Sequence, residues 1–255
     1  MDCREFIEIV AQDAVVDWET AERATQAVLQ TLAERIDAGE ARDLAERLPP
    51  EIAPFVGKVG AADGFSLYEF VRRVAEREGV DLDTAELHSR AVFTALGRAV
   101  GRDEVDDLAA QLSDDFARLL PAGPRMETIS ALEFVDAVAE RARLDTEGAM
   151  RATQAVLETL AERIAGGEVE DLMDRLPVAL HEPLRRGVER SDGAARRLPV
   201  ERFVELVGER EGTNAVDAAR HARAVLRTLR EAVGEDEFVD VAVQLPDEYR
   251  ALTSA

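Results

Sequence analysis

Histidine changes charge near neutral pH without help from its surroundings, and two of the three histidines in this chain recur in one short pattern, His88-x-Arg90 and His221-x-Arg223. An imidazole and a guanidinium so spaced are chemistry for holding an anion, or a carboxylate on another protein. A plainer reading, and the expected one, makes each histidine a partly buried polar residue that hydrogen-bonds across the interface between two related halves of a domain. A second candidate is the run Arg185, Arg186, Arg190, Arg196 and Arg197, a basic cluster in an otherwise acidic chain. It reads as a solvated linker or as a docking loop for an acidic surface, such as another copy of the protein.

Glu40 and Asp43 recur as Glu104 and Asp107, Glu168 and Asp171, and Glu237 and Asp240. Paired carboxylates can do acid–base work. In the first turn of a helix, however, negative charge is what the free N–H groups and the dipole favour, and an active site has no reason to appear four times. Asp43 is then expected to tie its helix to an arginine nearby. His181 and the single Cys3 add no metal cage to the other two histidines, and the carboxylates lack a calcium-loop pattern. Nucleophile-elbow, Walker and GxGxxG sequences are absent. No catalytic residue, metal or cofactor is expected.

The elements that carry these residues are repeats. RATQAVLQTLAERI at Arg23 to Ile36 returns as RATQAVLETLAERI at Arg151 to Ile164, and aligning Phe6, Phe70, Phe134 and Phe203 brings four copies into register. Leu32, Leu96, Leu160 and Leu229 then coincide, as do Leu48, Leu112, Leu176 and Leu245. Other positions alternate: Ala24, His88, Ala152 and His221; Gln26, Arg90, Gln154 and Arg223; Arg47, Gln111, Arg175 and Gln244. The order is A, B, A′, B′, so the unit last copied is a pair of halves.

Each copy predicts the same helices. Phe6, Ile7 and Val10 give a short amphipathic helix. Asp17, Asp81, Asp145 and Asn214 cap a second helix of roughly twenty residues, whose stripe includes Val28, Leu32 and Ile36. A third helix begins near Glu40 and turns Leu44 and Leu48 inward, and a final turn supplies Ile52, Phe116, Leu180 and Tyr249. Strand-like alternation is missing, so the fold class is all-α. Two tandem domains are expected, 1–122 and 127–255, each a pseudo-twofold pair of three- or four-helix units. The half-repeats run about 1–60 and 64–122, then about 128–182 and 198–255. PAGPRM marks the boundary between domains; PFVGKVGAADGF and HEPLRRGVERSDGAARRLP read as linkers between halves. Val28, Leu32, Val92 and Leu96 should form the first core, and Val156, Leu160, Val225 and Leu229 the second.

Acidic residues outnumber basic ones 53 to 31, the net charge is −22, and Lys58 is the only lysine. Such a surface suits molar salt, where the Debye length is about 3 Å. A high-GC bacterial host and imitation of a polyanion are the other readings. Direct binding to nucleic-acid phosphates is unfavourable, and aromatic poverty argues against base stacking. The start MDCREFIEIV lacks a signal-peptide pattern and no segment approaches a membrane span, so a cytoplasmic location is expected. Cys3 cannot form an intrachain disulfide.

RAVLxTL followed by GEAxDLAxxLP in the A half, with HARAVLRTLREAV and DVAVQLPDEY in the B half, resembles the prokaryotic domain of unknown function 2267 family. Arg23 to Pro49, Arg151 to Pro177 and His221 to Tyr249 carry the motifs closely; His88 to Phe116 matches more loosely, with Ser113 where the other copies have proline. The resemblance implies a helical domain without an established activity. Three functions stay open: a non-enzymatic helical adaptor or scaffold for a protein partner, an acidic mimic that occupies a basic nucleic-acid-binding protein, and a small-ligand binder or enzyme built on His88 or His221.

Overall fold

The structure, a computed structural model, describes residues 1–57, 61–121 and 129–253. The chain divides into two compact units, Met1–Arg125 and Met126–Ala255. Among the described residues there is no strand, and no helix is long and apolar enough to cross a membrane.

In the first unit, α1 (Cys3–Ala14), α2 (Trp18–Arg35) and α3 (Ala38–Arg47) lead into a 3-10 turn at Ala53–Val56. Then α4 (Leu67–Glu78), α5 (Leu82–Val100) and α6 (Arg102–Gln111) lead into a 3-10 turn at Asp114–Leu119. The second unit repeats this with α7 (Ala131–Ala142), α8 (Thr146–Arg163), α9 (Gly166–Arg175) and a turn at Val178–Leu180. It continues with α10 (His181–Ser191), α11 (Val200–Glu211), α12 (Ala215–Val233), α13 (Glu235–Val243), a turn at Asp247–Tyr249 and α14 (Arg250–Thr253).

The four long helices start where the caps require. Asp17, Asp81 and Asp145 accept from the backbone N–H of Thr20, Thr84 and Gly148, and Asn214 accepts from Val216 and Asp217. Each bond satisfies a donor that the helix cannot satisfy itself. Once begun, these helices bury the predicted stripes: Val28, Leu32, Val92 and Leu96 in the first unit, and Val156, Leu160, Val225 and Leu229 in the second, are all buried. Ile52, Phe116, Leu180 and Tyr249 close the cores from the final turns. Phe70 stacks edge-on against Phe93 and Phe116, and Phe203 against Tyr249.

Halves exchange their first helices. α1 packs on α2 and also on α5, while α4 packs on α5 and also on α2; α7 and α11 do the same with α8 and α12. A thus pairs with B inside the first unit and A′ with B′ inside the second. Arginines clamp the exchange: Arg77 on α4 reaches Thr31 and Glu34 on α2, Arg210 on α11 reaches Thr159 and Glu162 on α8, and Arg141 on α7 reaches Thr228 and Glu231 on α12.

One expectation fails. The stretch from His181 to Ser191, read as part of a linker, is the helix α10, and it lies against α8. His181, Pro183, Leu184, Gly187 and Ser191 are buried. Proline falls in the first turn, where its missing N–H costs nothing. Gly187 permits the crossing: a Cβ there would come 2.4 Å from the Glu158 carbonyl oxygen and 2.5 Å from Ala161 Cβ. Proline and glycine, which looked like loop signals, instead let a helix begin and approach closely. Lys58, the rest of the linker at 58–60, and the PAGPRM segment beyond Pro121 lie outside the described residues.

Candidate functional site

Both recurring histidines are buried, and each meets a glutamate that precedes it in its own half. His88 Nδ1 lies 2.6 Å from Glu78 Oε2, and His221 Nδ1 lies 2.5 Å from Glu211 Oε1. Glu78 ends α4 and His88 is on α5, so the bond joins two helices of the B half; it does not cross to A, contrary to expectation. The reason is geometric. The turn between the two helices is short, and it brings the last turn of one against the first turns of the next. Sequence reasoning missed the glutamates, although their positions alternate as the histidines do: Ala14, Glu78, Ala142 and Glu211 align. The A halves fill this place with Ala14 and Ala24, or Ala142 and Ala152, all buried. Glu78 Oε1 and Glu211 Oε2 are buried with no hydrogen-bond partner.

The histidines and arginines of the two His-x-Arg patterns are not brought together. Arg223 Nε donates to the Ala251 carbonyl at 2.9 Å, and His221 Nε2 instead lies 3.2 Å from an Arg220 nitrogen. Arg90 lines a half-open cleft of about 210 Å³ with Asp13, Thr94, Arg118 and the chain from Leu119 to Pro121. His88 is not among the lining residues. An i, i+2 spacing on a helix points the two side chains to different faces, which is why the pattern does not converge.

The basic cluster is only in part a solvated linker: Arg185, Arg186 and Arg190 lie on α10, and Arg196 and Arg197 in the exposed stretch after it. Arg186 and Arg190, on α10, both pair with Glu158 of α8 at 2.9 Å, and Arg196 pairs with Glu162 at 2.8 Å. Arg210 reaches the same two glutamates from α11. Two nearly buried carboxylates of α8 thereby hold α10 and α11 against it. Arg185 lies half-buried on α10 and Arg197 is exposed beyond it. No equivalent of Glu158 exists in the first unit, where the aligned residue is Gln30.

The third alternation, Arg47 with Gln111 and Arg175 with Gln244, is explained where third helices meet. Arg47 on α3 pairs with Glu104 on α6 at 2.7 Å, while Gln111 on α6 donates to Glu40 on α3 at 3.2 Å and accepts from the Asp37 N–H at 3.0 Å. In the second unit Arg175 faces Glu237 at 3.5 Å, and Gln244 accepts from the Ala165 N–H at 2.8 Å. One recurring glutamate of each unit has an arginine partner and its counterpart does not. Burial, followed by the nearby charges of Glu104, Asp107, Asp37 and Asp43, pushes the Glu40 carboxyl up to about 7. Its Oε1 is buried without a hydrogen-bond partner. Burial also raises Glu237, with Arg175 working against it. Asp43 itself is exposed, and among the described residues no ion pair ties it to an arginine; its charge is the last of those that raise Glu40. Among the described residues no group of three or more His, Cys, Asp or Glu side chains could hold a metal ion.

These clusters are joints between helices, and the histidine and third-helix joints recur because the unit recurs. No curated protein matches the chain. The family model described as "Uncharacterized conserved protein (DUF2267)" matches it twice, at residues 3–119 and 132–252, and the chain therefore belongs to that family as a tandem pair of its domains.

Proposed function

We propose that the protein is a non-enzymatic helical adaptor or scaffold whose two units offer related, differently decorated surfaces to a protein partner. The observation that carries this reading is the engagement of the recurring polar residues with one another inside each unit: His88 with Glu78, His221 with Glu211, Arg47 with Glu104, Gln111 with Glu40. Several apolar side chains that differ between copies are left at the surface: Trp18, Leu132, Val216, Val239 and Val243 are exposed. Apolar side chains scattered over an acidic surface are what a protein interface uses as anchors. The net charge of −22 and the single lysine support adaptation to high salt as part of the same reading. Affinity capture from the native host at its own ionic strength, followed by mass spectrometry and reconstitution with the purified partner, tests it. Failure to recover any reproducible partner sinks it.

A second reading is favoured by the acids where third helices meet. Asp43 and Asp107 are both exposed and both act on Glu40, and Asp171 and Asp240 likewise act on Glu237. Negative charge concentrated at two such places is what a polyanion mimic would present to a basic nucleic-acid-binding protein. Such a complex should dissociate steeply with added salt, and one unchanged between about 0.1 and 1 M would rule the mimic out.

A further inference from the structure

Trp18 is the only tryptophan in the chain; it opens α2 and is 41% exposed. Its indole N–H donates to Glu22 Oε1 at 2.8 Å, which orients the ring along the helix. Two shallow depressions adjoin it, one lined by Asp2, Cys3, Arg4 and Glu51, the other by Arg4, Glu8, Ala11, Gln12 and Val16. Nearby Val15 is 88% exposed at φ 56, a left-handed conformation that a β-branched side chain adopts only at a cost. The aligned residues are Gly79, Arg143 and Gly212, and those aligned with Trp18 are Leu82, Thr146 and Ala215, so this apolar prominence belongs to the first copy.

Comparison of copies also isolates Glu51. In the B halves the acid at this position caps the first helix: Asp115 accepts from the Leu67 N–H at 2.8 Å and Glu248 from the Val200 N–H at 3.1 Å. α1 takes its cap from Asp2, which accepts from the Glu5 N–H at 2.8 Å, as α4 does from Ser66, but among the described residues Glu51 makes no bond equivalent to that of Asp115. It is exposed beside Trp18. The local field is negative: burial first, then Glu51, Glu22 and Asp2, raise the Cys3 thiol above its ordinary range. Arg4 is the one cation lining the depressions, against Asp2, Glu8 and Glu51.

Elsewhere the chain covers aromatic faces with its own arginines: Arg35 over Phe116, Arg73 over Phe65, Arg163 over Tyr249 and Arg230 over Phe238. Among the described residues no arginine lies over Trp18, although indole attracts cations most strongly of the aromatic rings. We propose that the Trp18 face of the first unit docks a basic segment of a partner protein, seating a guanidinium or ammonium on the indole with Glu51 as its counter-charge. This rests on the adaptor reading and names its surface and the partner's chemistry. In molar salt, with a Debye length of about 3 Å, only attraction between groups in contact survives, and a cation seated on the ring is in contact.

Because Trp18 is the sole tryptophan, its emission reports on the site directly. Hexa-arginine titrated into the full chain should shift that emission to saturation, at about 0.1 M and, more weakly, at about 1 M salt, whereas hexa-glutamate should not. By calorimetry, Trp18→Ala and Glu51→Gln should each weaken hexa-arginine about tenfold, with Trp18→Phe losing less. Glu170→Gln, an exposed acid of the second unit, should change it less than about twofold. Unchanged emission at saturation, or parent-like affinity in Trp18→Ala, overturns the proposal. So does an emission shift that follows protein concentration alone with a doubling of sedimented mass, because a second copy then covers the face. Capture of the same host partner by Trp18→Ala would remove this surface and leave the adaptor reading standing, while a parent chain that captures none would remove that reading itself.

Discussion

The A and B halves put different residues into the same place between their first two helices. A and A′ close it with two alanines, Ala14 and Ala24 or Ala142 and Ala152; B and B′ close it with Glu78 and His88 or Glu211 and His221. The apolar stripes around it are shared by all four copies. The difference teaches that divergence within the duplicated unit placed polar joints in some copies while the stripes of the long helices stayed apolar in all four. It also acted pairwise: where histidine replaced one alanine, glutamate replaced the other. The third helices show the same habit, since Arg47 and Gln111 each suit the glutamate that faces them from the other half.

What the halves share should be the most costly to break. Leu96→Asp places an unpaired charge where Leu96 is buried in α5, and the first unit should lose cooperative unfolding, a cost of about 4 kcal/mol or more. A calorimetric trace with both transitions intact would refute the core assignment. Next is the feature that separates B from A. His88→Ala leaves the Glu78 carboxyl buried without its partner and should destabilise by about 3 kcal/mol. The double change Glu78→Ala with His88→Ala rebuilds the A-type pair and should cost less than the single one. Chemical denaturation of the three variants gives the coupling, and a double variant that costs as much as the sum of the singles would mean that the two residues do not act as a pair.

The two units also differ, by α10. Gly187→Val would force two methyl groups toward the Glu158 carbonyl, which cannot move without bending α8, so the second unit should lose about 1–3 kcal/mol, with the first unit's transition unchanged. Proteolysis near Arg190 and Arg196 should rise in step. The smallest effect concerns Glu40 and depends on pH. Its carboxyl is raised from 4.5 to about 7 in the folded chain. Below about pH 4.5 both states are protonated and nothing is lost. Between there and pH 7 the unfolded chain releases its proton first, and stability falls; above 7 the whole penalty is present. Glu40→Gln should therefore stabilise by about 1–2 kcal/mol at pH 8 and by nothing at pH 4. Equal effects at both values would show that burial and the neighbouring acids do not raise this carboxyl.

The helices, their caps and their buried stripes were legible in the chain because each depends on residues within a few positions of one another. Asp17 finds the Thr20 N–H, and Val28, Leu32 and Ile36 share a face, whatever the rest of the protein does. Repetition added long-range information, since a position that alternates between copies must face something that alternates too. That argument reached the histidines, and carried one position further it reaches their glutamates. It did not reach α10, which has no counterpart of its length among the described residues of the first unit, and whose proline and glycine are locally ambiguous.

Sequence alone determined that the chain is four related copies in A, B, A′, B′ order, that it is all-α, and which stripes its long helices bury, because periodicity and capping are written in short stretches. Tertiary structure alone decided that the arginines of 186–196 brace α8, that Arg47 answers to Glu104, and that Glu51 is left beside an open indole. Those are properties of pairs distant in the chain, and whether a charged or polar group is engaged depends on what folding places within about 3 Å of it.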